Sequence, residues 1–244
     1  MIIYGINPVL EALRADRVTE LRVGDRGGER MRALLALAAE RQVRVRHVDE
    51  ERLAREARGG VHQGVVAEVD ARTDCSLEDL VREAPGVPLL VVLDGVEDPH
   101  NLGAILRTSD AAGVDGVVIQ SRRSAALGGA AAKASAGAVA HVRIAEVVNI
   151  ARAVAELKAL GVWTVGLAGD SERPYDTIDL ALPTAIVLGG EGEGLRRLVR
   201  ERCDLTASIP MLGHVDSLNV SVAAGVVLFE AVRQRRQSRR PPGG

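Results

Sequence analysis

Residues 209–225 read IPMLGHVDSLNVSVAAG and lead from a strand-like start into a strongly periodic helix. The apolar residues that follow recur at spacings of three and four, which is typical of a helix with one buried face. Three polar side chains, Ser217, Asn219 and Ser221, stand where the proline- and glycine-containing loop becomes this helix. A simple turn does not need so many hydrogen-bonding groups. The stretch therefore predicts a loop that wraps one small ligand with its backbone and offers side chains to a second.

Strands and helices alternate along the chain before this stretch. Residues 89–93 are wholly apolar, as in a strand that is buried on both faces of a parallel sheet. Further strands are predicted at 116–119, 140–144, 162–167, 185–188 and 206–209, and helices at 101–112, 147–160 and from 195 and 220 onward. The alternation predicts a doubly wound α/β domain, whose ligands lie at the carboxyl ends of the strands.

A first candidate loop occupies residues 94–103 and leads into a helix. Asn101 is expected to be the N-cap of that helix. Arg107 lies on its far side beside Gly103, where a guanidinium could approach a ligand phosphate closely. On position alone, a solvated surface arginine is the better interpretation.

A second candidate loop, LGGEGEG at residues 188–194, follows a buried strand and precedes a helix. It matches neither the dinucleotide fingerprint nor the P-loop spacing. Glu191 and Glu193 stand where a phosphate would require N–H donors, so the loop favours a ligand without phosphate, such as an adenosine attached to a sulfonium.

The carboxyl ends of parallel strands share one edge of a sheet, so these loops are expected to meet. Together they predict a pocket lined by backbone and a cluster of polar side chains. The pocket residues are Gly189, Gly190, Ile209, Met211 and Leu218, and the polar residues are Asn101, Arg107, Glu191, Ser217 and Asn219.

Residues 1–70 are interpreted as a separate small α/β unit, with Asn7 capping a helix that has Pro8 at its first position. The remaining elements predicted there are a helix at 31–40, strands at 21–23, 43–46 and 65–69, and a turn-rich loop at 59–64. Arg41, Arg44 and Arg46 could form a basic patch, although a solvated strand face is preferred. Residues 71–87 are interpreted as a linker with a short acidic helix, which leaves 88–244 as the second domain.

The composition excludes several classes of protein. The 244 residues are 47% hydrophobic and 26% charged, with a formal net charge of −2, an ordinary soluble profile. No apolar run approaches the roughly 20 residues of a membrane span, and the N-terminus lacks the regions of a secretory signal. Cys75 and Cys203 suggest reduced thiols in a cytoplasmic protein, and no cysteine or histidine pair has metal-ligand spacing. Five arginines between positions 233 and 240 are interpreted as a solvated tail.

Three motifs in order resemble those of the SpoU (TrmH) branch of the SPOUT RNA methyltransferases. They are NLGAILR at 101–107, LGGEGEG at 188–194, and IPM at 209–211 with SLNVS at 217–221. In addition, YGINPV at 4–9 and HQG at 62–64 resemble the N-terminal RNA-binding domain of that family. The resemblance covers essentially the whole chain, and three long motifs in order are highly specific.

The resemblance implies a C-terminal α/β knot, in which a mostly parallel sheet with helices on both faces is tied into a deep trefoil. It also implies a small N-terminal α/β domain, L30e-like, that binds RNA. Knots are nearly absent from proteins, so this expectation comes from the likeness alone. S-adenosylmethionine is the implied cofactor, without a metal, and a homodimer packed through helices near the cofactor site is the implied assembly. The layout is most similar to bacterial members that methylate a guanosine ribose in 23S rRNA.

By the same likeness, Gly189, Ile209 and Leu218 contact the cofactor, mostly through backbone atoms. The polar residues Asn101, Arg107, Glu191, Ser217 and Asn219 fall on the functional positions of the family. Arg107 is the candidate for catalysis, but a guanidinium keeps its proton above pH 12. A clamp that grips a phosphate and stabilises oxyanion charge is therefore preferred to a general base.

Other functions stay open from the sequence. A non-catalytic RNA-binding protein could use the same scaffold, although the polar residues of all three motifs are present. A nicotinamide or sugar-nucleotide enzyme would need a G-x-G-x-x-G fingerprint after its first strand, which this chain lacks. Within the family, a tRNA-ribose or antibiotic-resistance rRNA methyltransferase is an alternative, because the motifs serve the chemistry and do not name the nucleotide.

Overall fold

The computed structural model describes residues 1–25, 27–70, 75–121, 131, 134, 135 and 137–238. These residues divide into two compact units. The first contains the described parts of 1–72, 99–107 and 125–141, and the second contains those of 73–98, 108–124 and 142–244.

The first unit is built on a four-stranded sheet in the order β1-β4-β2-β3. Its elements are β1 (Ile2–Tyr4), α1 (Ile6–Arg14), β2 (Val18–Val23), α2 (Glu29–Glu40), β3 (Arg44–His47), α3 (Glu50–Glu56) and β4 (Val65–Val69). Strand β4 pairs antiparallel with β1 and β2, and β2 pairs parallel with β3. Leu21, Leu34 and Leu53 are fully buried in this unit.

Helix α1 begins differently from the prediction that Asn7 caps it. The helix starts at Ile6, and the preceding Gly5 has φ 92°, in the left-handed region that favours glycine. The Ile6 N–H donates to Gln63 Oε1 at 3.0 Å. A side chain from the loop before β4 therefore satisfies the end of the helix, which no local pattern around Asn7 can reveal.

Helix α3 was not predicted from the sequence. Asp49 caps it by accepting a hydrogen bond from the Arg52 N–H at 2.7 Å, and two glutamates follow in its first turn. An N-cap aspartate before acidic residues is the signal that would have located the helix.

The proposed basic patch is partly neutralised within this unit. Arg41 forms an ion pair with Asp16, and Arg46 pairs with Glu20 at 3.2 Å. The preferred interpretation as a solvated, charge-balanced strand face agrees with these pairs.

The second unit contains a six-stranded sheet in the order β10-β8-β9-β5-β6-β7, in which every neighbouring pair of strands is parallel. Its elements are α4 (Leu77–Arg82), β5 (Leu89–Asp94), α5 (Pro99–Ala112), β6 (Gly116–Gln120), β7 (Ile144–Val147), α6 (Ile150–Ala159), β8 (Trp163–Leu167), β9 (Thr184–Gly189), α7 (Arg197–Arg202), β10 (Leu205–Ala207) and α8 (Val220–Ser238). The first turns of α5 belong to the first unit. The predicted α/β class with a mostly parallel sheet is confirmed.

Both faces of the central strand β9 are covered. Ala185 and Val187 belong to a core with residues of α4, α6 and α7. Ile186 and Leu188 point to the opposite face by strand alternation and are also buried, and α8 packs on this strand. This burial explains why these strands are continuous apolar runs in the sequence.

Several element boundaries differ from the predicted ones. The strand predicted at 140–144 is instead a 3₁₀ turn at Ala138–Ala140 followed by β7. Helix α6 starts at Ile150 because Asn149 caps it, accepting from the Arg152 N–H at 3.0 Å. The apolar residues at 144–147 therefore belong to an edge strand, a case in which a short apolar run alone is ambiguous.

The short acidic helix predicted within the linker at residues 71–87 is present as α4, and it is packed against the second unit. Ser76 and Asp79 form a capping box at its start, and the Ser76 hydroxyl holds the pKa of the Asp79 carboxyl below its usual value. Leu80 is fully buried, and a Cβ added at Gly116 would lie 2.4 Å from its Cδ2. The helix is packed on β6 and is not a spacer, while residues 71–74 of the predicted linker lie outside the described residues.

Of the C-terminal arginines predicted to form a solvated tail, Arg233 and Arg236 are exposed, whereas Arg235 is not free in solvent. Arg235 donates to four carbonyl oxygens, those of Val87, Pro88, Leu180 and Leu182, at 2.5–3.0 Å. This guanidinium fastens the end of α8 to the amino-terminal edge of the sheet. Residues 239 and 240 lie outside the described part of the chain. Within that part, no helix has the length and apolarity that a bilayer crossing requires.

We predict that Leu80→Ala lowers the free energy of unfolding by about 2–4 kcal/mol, because it leaves a cavity in the core. Val87→Ala is the control, since that side chain is 42% exposed, and we expect it to change stability by less than about 0.5 kcal/mol. Urea denaturation measures both. Equal, small effects would mean that the segment before β5 is a spacer after all.

Candidate functional site

A cavity of about 610 Å³ lies at the carboxyl ends of β8, β9 and β10 within the second unit. Three segments line it: residues 167–170 after β8, the glycine-rich loop at 188–195, and residues 207–223 between β10 and α8. The predicted site residues on this cavity are Gly189, Gly190, Glu191, Ile209, Met211, Ser217, Leu218 and Asn219. The structure thus brings together the residues of the second and third motifs.

The glycine-rich loop forms one wall because its backbone folds back on itself. The Gly194 N–H donates to the Gly190 carbonyl at 3.2 Å. A Cβ at Gly189 would lie 2.1 Å from the Gly194 carbonyl carbon, and one at Gly190 would lie 2.3 Å from the Gly95 oxygen. No side chain fits at either position, so the wall presents backbone to the cavity.

A buried carboxylate that the sequence analysis overlooked fixes this wall. Asp94, at the end of β5, is 1% exposed. Its two oxygens accept from the Arg196 backbone N–H at 2.8 Å and from Nε at 2.6 Å, while Nη2 of the same arginine donates to Gln120 Oε1 at 2.9 Å. The Gly190 N–H also donates to the Asp94 carbonyl at 2.8 Å. The available signal was a charged residue that ends a wholly apolar strand.

The third segment leaves most of its side chains exposed at the cavity. Ser217, Leu218 and Asn219 are all exposed. Asn219 accepts from the Ser221 N–H at 2.9 Å and from the Ser221 hydroxyl at 2.6 Å. The carboxamide oxygen therefore caps α8, and it fixes the direction in which the third segment enters the helix.

The cavity is rich in carboxylates. Among the described residues, the ionisable side chains on its lining are those of Asp170, Glu191, Glu193, Asp216 and Arg200. Arg200 donates to Asp170 Oδ2 at 2.8 Å, and this hydrogen bond lowers the pKa of the Asp170 carboxyl. A phosphate would be repelled here, as the sequence predicts from Glu191 and Glu193.

Asn101 and Arg107 lie on α5, in the first unit, and are not among the residues that line the cavity. Asn101 is buried and is the third residue of the helix, which begins at Pro99. The prediction that Asn101 is the N-cap is therefore wrong. Arg107 is exposed. A Cβ at Gly103 would lie 2.4 Å from the Ala134 Cβ, so this glycine permits close packing and does not open the helix to a ligand.

The two cysteines are free thiols, and the structure gives Cys203 no nucleophilic character. Burial, with a contribution from Asp204, raises the pKa of the Cys203 thiol to about 11. Among the residues that the structure describes, no group of three or more histidine, cysteine or acidic side chains could hold a metal ion.

The model of the SpoU rRNA methylase family matches residues 88–229, more than half of the chain. The chain belongs to this family. A second model, described as RNA 2'-O ribose methyltransferase substrate binding, matches residues 2–74. Together the two matched ranges contain all three motifs and both N-terminal stretches, at residues 4–9 and 62–64.

Relatives of the SpoU family resemble the chain over nearly its whole length. The 23S rRNA (guanosine-2'-O-)-methyltransferase RlmB of Pseudomonas aeruginosa is 46% identical over 239 residues, which cover 96% of each chain. The SpoU methyltransferase AviRb from Streptomyces viridochromogenes, crystallised with AdoMet, is 25% identical and superimposes with a TM-score of 0.79 over 97% of this chain and 91% of that one. An AdoMet-bound rRNA methyltransferase from Sinorhizobium meliloti is 28% identical, with a TM-score of 0.74 over 95% of this chain and 86% of that one.

We predict that Asp94→Asn lowers the free energy of unfolding by about 1–3 kcal/mol, because it leaves the Arg196 charge without its buried partner. Glu201→Gln removes an exposed carboxylate that pairs with Arg197 and should cost less than about 0.5 kcal/mol. Chemical denaturation of both variants is the measurement. Equal losses would show that the buried pair does not fix the wall.

Proposed function

We propose that this chain transfers a methyl group from S-adenosylmethionine to the ribose 2′-hydroxyl of a guanosine in 23S rRNA. Membership of the SpoU family and the full-length likeness to an enzyme named for that reaction carry the proposal. Two solved relatives bind AdoMet. The reaction would occur in the cytoplasm on RNA and would need no metal.

The cavity suits this cofactor in its shape and its charge. Gly189 and Gly190 provide a wall without side chains, against which an adenosine can lie and bond to backbone groups. Ile209, Met211 and Leu218 would supply apolar and backbone contacts from the third segment. The carboxylates on the rim are compatible with a cation and oppose the pyrophosphate of a nicotinamide nucleotide.

S-adenosylmethionine, when bound, supplies a methyl group activated by its attachment to a sulfonium. The methyl carbon forms a bond to the ribose oxygen, the C–S electron pair stays on sulfur, and the hydroxyl proton leaves to water. The chain must therefore align the ribose and assist the loss of that proton.

The proposal assigns these tasks to the polar motif residues. Arg107 would grip a phosphate next to the target ribose and stabilise the developing negative charge on the oxygen. Asn101 would orient Arg107 or the ribose. Ser217 and Asn219 would position the nucleotide, the latter from its place at the start of α8. Glu191 would anchor the second motif.

The domain assignment is also a proposal. Residues 1–70 would select the RNA as an L30e-like domain, in agreement with the substrate-binding model that matches 2–74, and residues 88–244 would carry out the chemistry. The packed helix α4 argues that residues 75–87 belong with the second part.

We also propose the family's trefoil knot and homodimer. The chain leaves β10 at the edge of the sheet, passes along the cavity and enters α8, which packs on the central strand β9. That path is consistent with a threaded third segment. Val222 and Phe229 of α8 are each 51% exposed, and apolar side chains at this spacing suit a second copy of the chain.

Three other functions are distinguished by simple outcomes. A non-catalytic RNA-binding protein would bind rRNA without methyl transfer. A tRNA methyltransferase or a resistance methyltransferase would modify a different nucleotide.

We expect purified protein to incorporate label from S-adenosylmethionine into 23S rRNA that lacks the modification. Mapping of 2′-O-methyl sites in RNA from cells with and without this gene should then show one guanosine whose methylation is lost. Unchanged methylation of 23S rRNA, with a site lost in tRNA, would contradict the proposed substrate.

We predict that Arg107→Lys retains measurable turnover, reduced by about 10- to 100-fold, because an ammonium still holds a phosphate but loses the bidentate contact. Arg107→Ala should lose about a further 10-fold or more. Single-turnover methyl transfer measures both, with Arg197→Lys on the exposed face of α7 as the control. Loss of activity in the lysine variant as complete as in the alanine variant would contradict a clamp.

A further inference from the structure

We propose that the carboxylates around the cavity make it prefer S-adenosylmethionine over the demethylated product, S-adenosylhomocysteine, through charge. The inference rests on the proposed function, because it concerns the same cofactor. The methyl donor carries a sulfonium, an ammonium and a carboxylate, so its net charge is +1. Loss of the methyl group leaves a neutral thioether and a net charge of zero. A wall of backbone alone would hardly distinguish the two molecules, whose shapes are nearly equal.

Negative charge comes from each of the three segments that line the cavity. Asp170 follows β8, Glu191 and Glu193 belong to the glycine-rich loop, and Asp216 lies in the third segment. Among the described residues that line the cavity, the cation is Arg200, which is paired with Asp170. The charge left by the lining residues is therefore strongly negative.

Glu193 and Asp216 are the two acidic residues on which the proposed charge preference mainly depends. Among the residues that the structure describes, neither has an ion-pair partner within reach. Glu193 lies in the turn closed by the hydrogen bond from the Gly194 N–H to the Gly190 carbonyl, and Asp216 lies in the third segment, two residues before Leu218. Two separate segments thus contribute an acidic residue to the lining of the same cavity.

These carboxylates have no other evident task. They do not form a metal site, because no group of three or more potential ligands occurs among the described residues. Within the described part of the chain they form no ion pair of the kind that joins Glu201 to Arg197 within α7. Their position on the lining of the cavity suits a cationic ligand.

The size of the preference follows from the exposure of these carboxylates to water. Charges that act through water over several ångströms change an affinity by about two- to fivefold each, and salt screens them with a Debye length of about 8–10 Å. We therefore expect roughly a tenfold preference for the methyl donor at low salt. Such a preference would help the product to leave after each methyl transfer.

Calorimetric titration of the full chain with both ligands tests the inference. In the wild type, S-adenosylmethionine should bind about tenfold more tightly than S-adenosylhomocysteine at 50 mM salt, and the difference should shrink at 300 mM salt. Glu193→Gln and Asp216→Asn should each lower the affinity for S-adenosylmethionine by about two- to fivefold. The two factors should multiply in the double variant. The affinity for S-adenosylhomocysteine should stay unchanged in all three variants. Sinefungin, which carries an amine near the position of the sulfonium, should follow the methyl donor.

Glu201→Gln is the matched control, because it removes the same charge from a helix face outside the cavity, and it should change neither affinity. Glu193→Asp keeps the negative charge, so it should retain most of the wild-type preference for S-adenosylmethionine. A loss of equal size for both ligands, or a wild-type preference that salt does not alter, would overturn the inference and leave the proposed function intact. Failure of the wild type to bind either ligand would instead overturn the proposed function.

Discussion

The buried contact between Asp94 and Arg196 is the interaction on which the site depends. It joins the end of β5 to the residue that follows the glycine-rich loop, and Gln120 extends it to the end of β6. A carboxylate at 1% exposure is costly unless it is fully hydrogen-bonded, so this pair favours the observed arrangement of the loop. The backbone of Gly189 and Gly190 is thereby held at the edge of the sheet.

The remaining parts of the cavity follow from this constraint. With the glycine wall fixed, the third segment must cross the carboxyl edge of the sheet between β10 and α8, and the oxygen of Asn219 sets the direction of that helix. Arg235 fastens the other end of α8 to carbonyls at the opposite edge of the sheet. The cavity is therefore built by loops whose two ends are anchored, and such anchoring supplies the preorganisation that methyl transfer requires.

The parallel sheet and the convergence of the second and third motifs could be predicted from the sequence, because apolar strands and strand-end glycines are local signals. Contacts between distant residues could not. Gln63 satisfies α1 across 57 positions, and Arg235 reaches carbonyls near residue 88 across 147 positions. The sequence predicts a linker with a short acidic helix before β5, and it does not reveal that this helix is packed, since burial of Leu80 against Gly116 leaves no mark in local composition. Asp94 does not stand out in the sequence because one charged residue at a strand end is common, and what distinguishes it is its burial against the distant Arg196.

The central claim is that the cavity between the glycine-rich loop and the third segment is the cofactor site. The most direct test of this claim is a crystal structure determined after crystals of the protein have been soaked with S-adenosylhomocysteine. The account predicts density for the adenosine against the backbone of Gly189 and Gly190, with Leu218 on the other side. Density for the ligand at any other place on the chain would contradict the account.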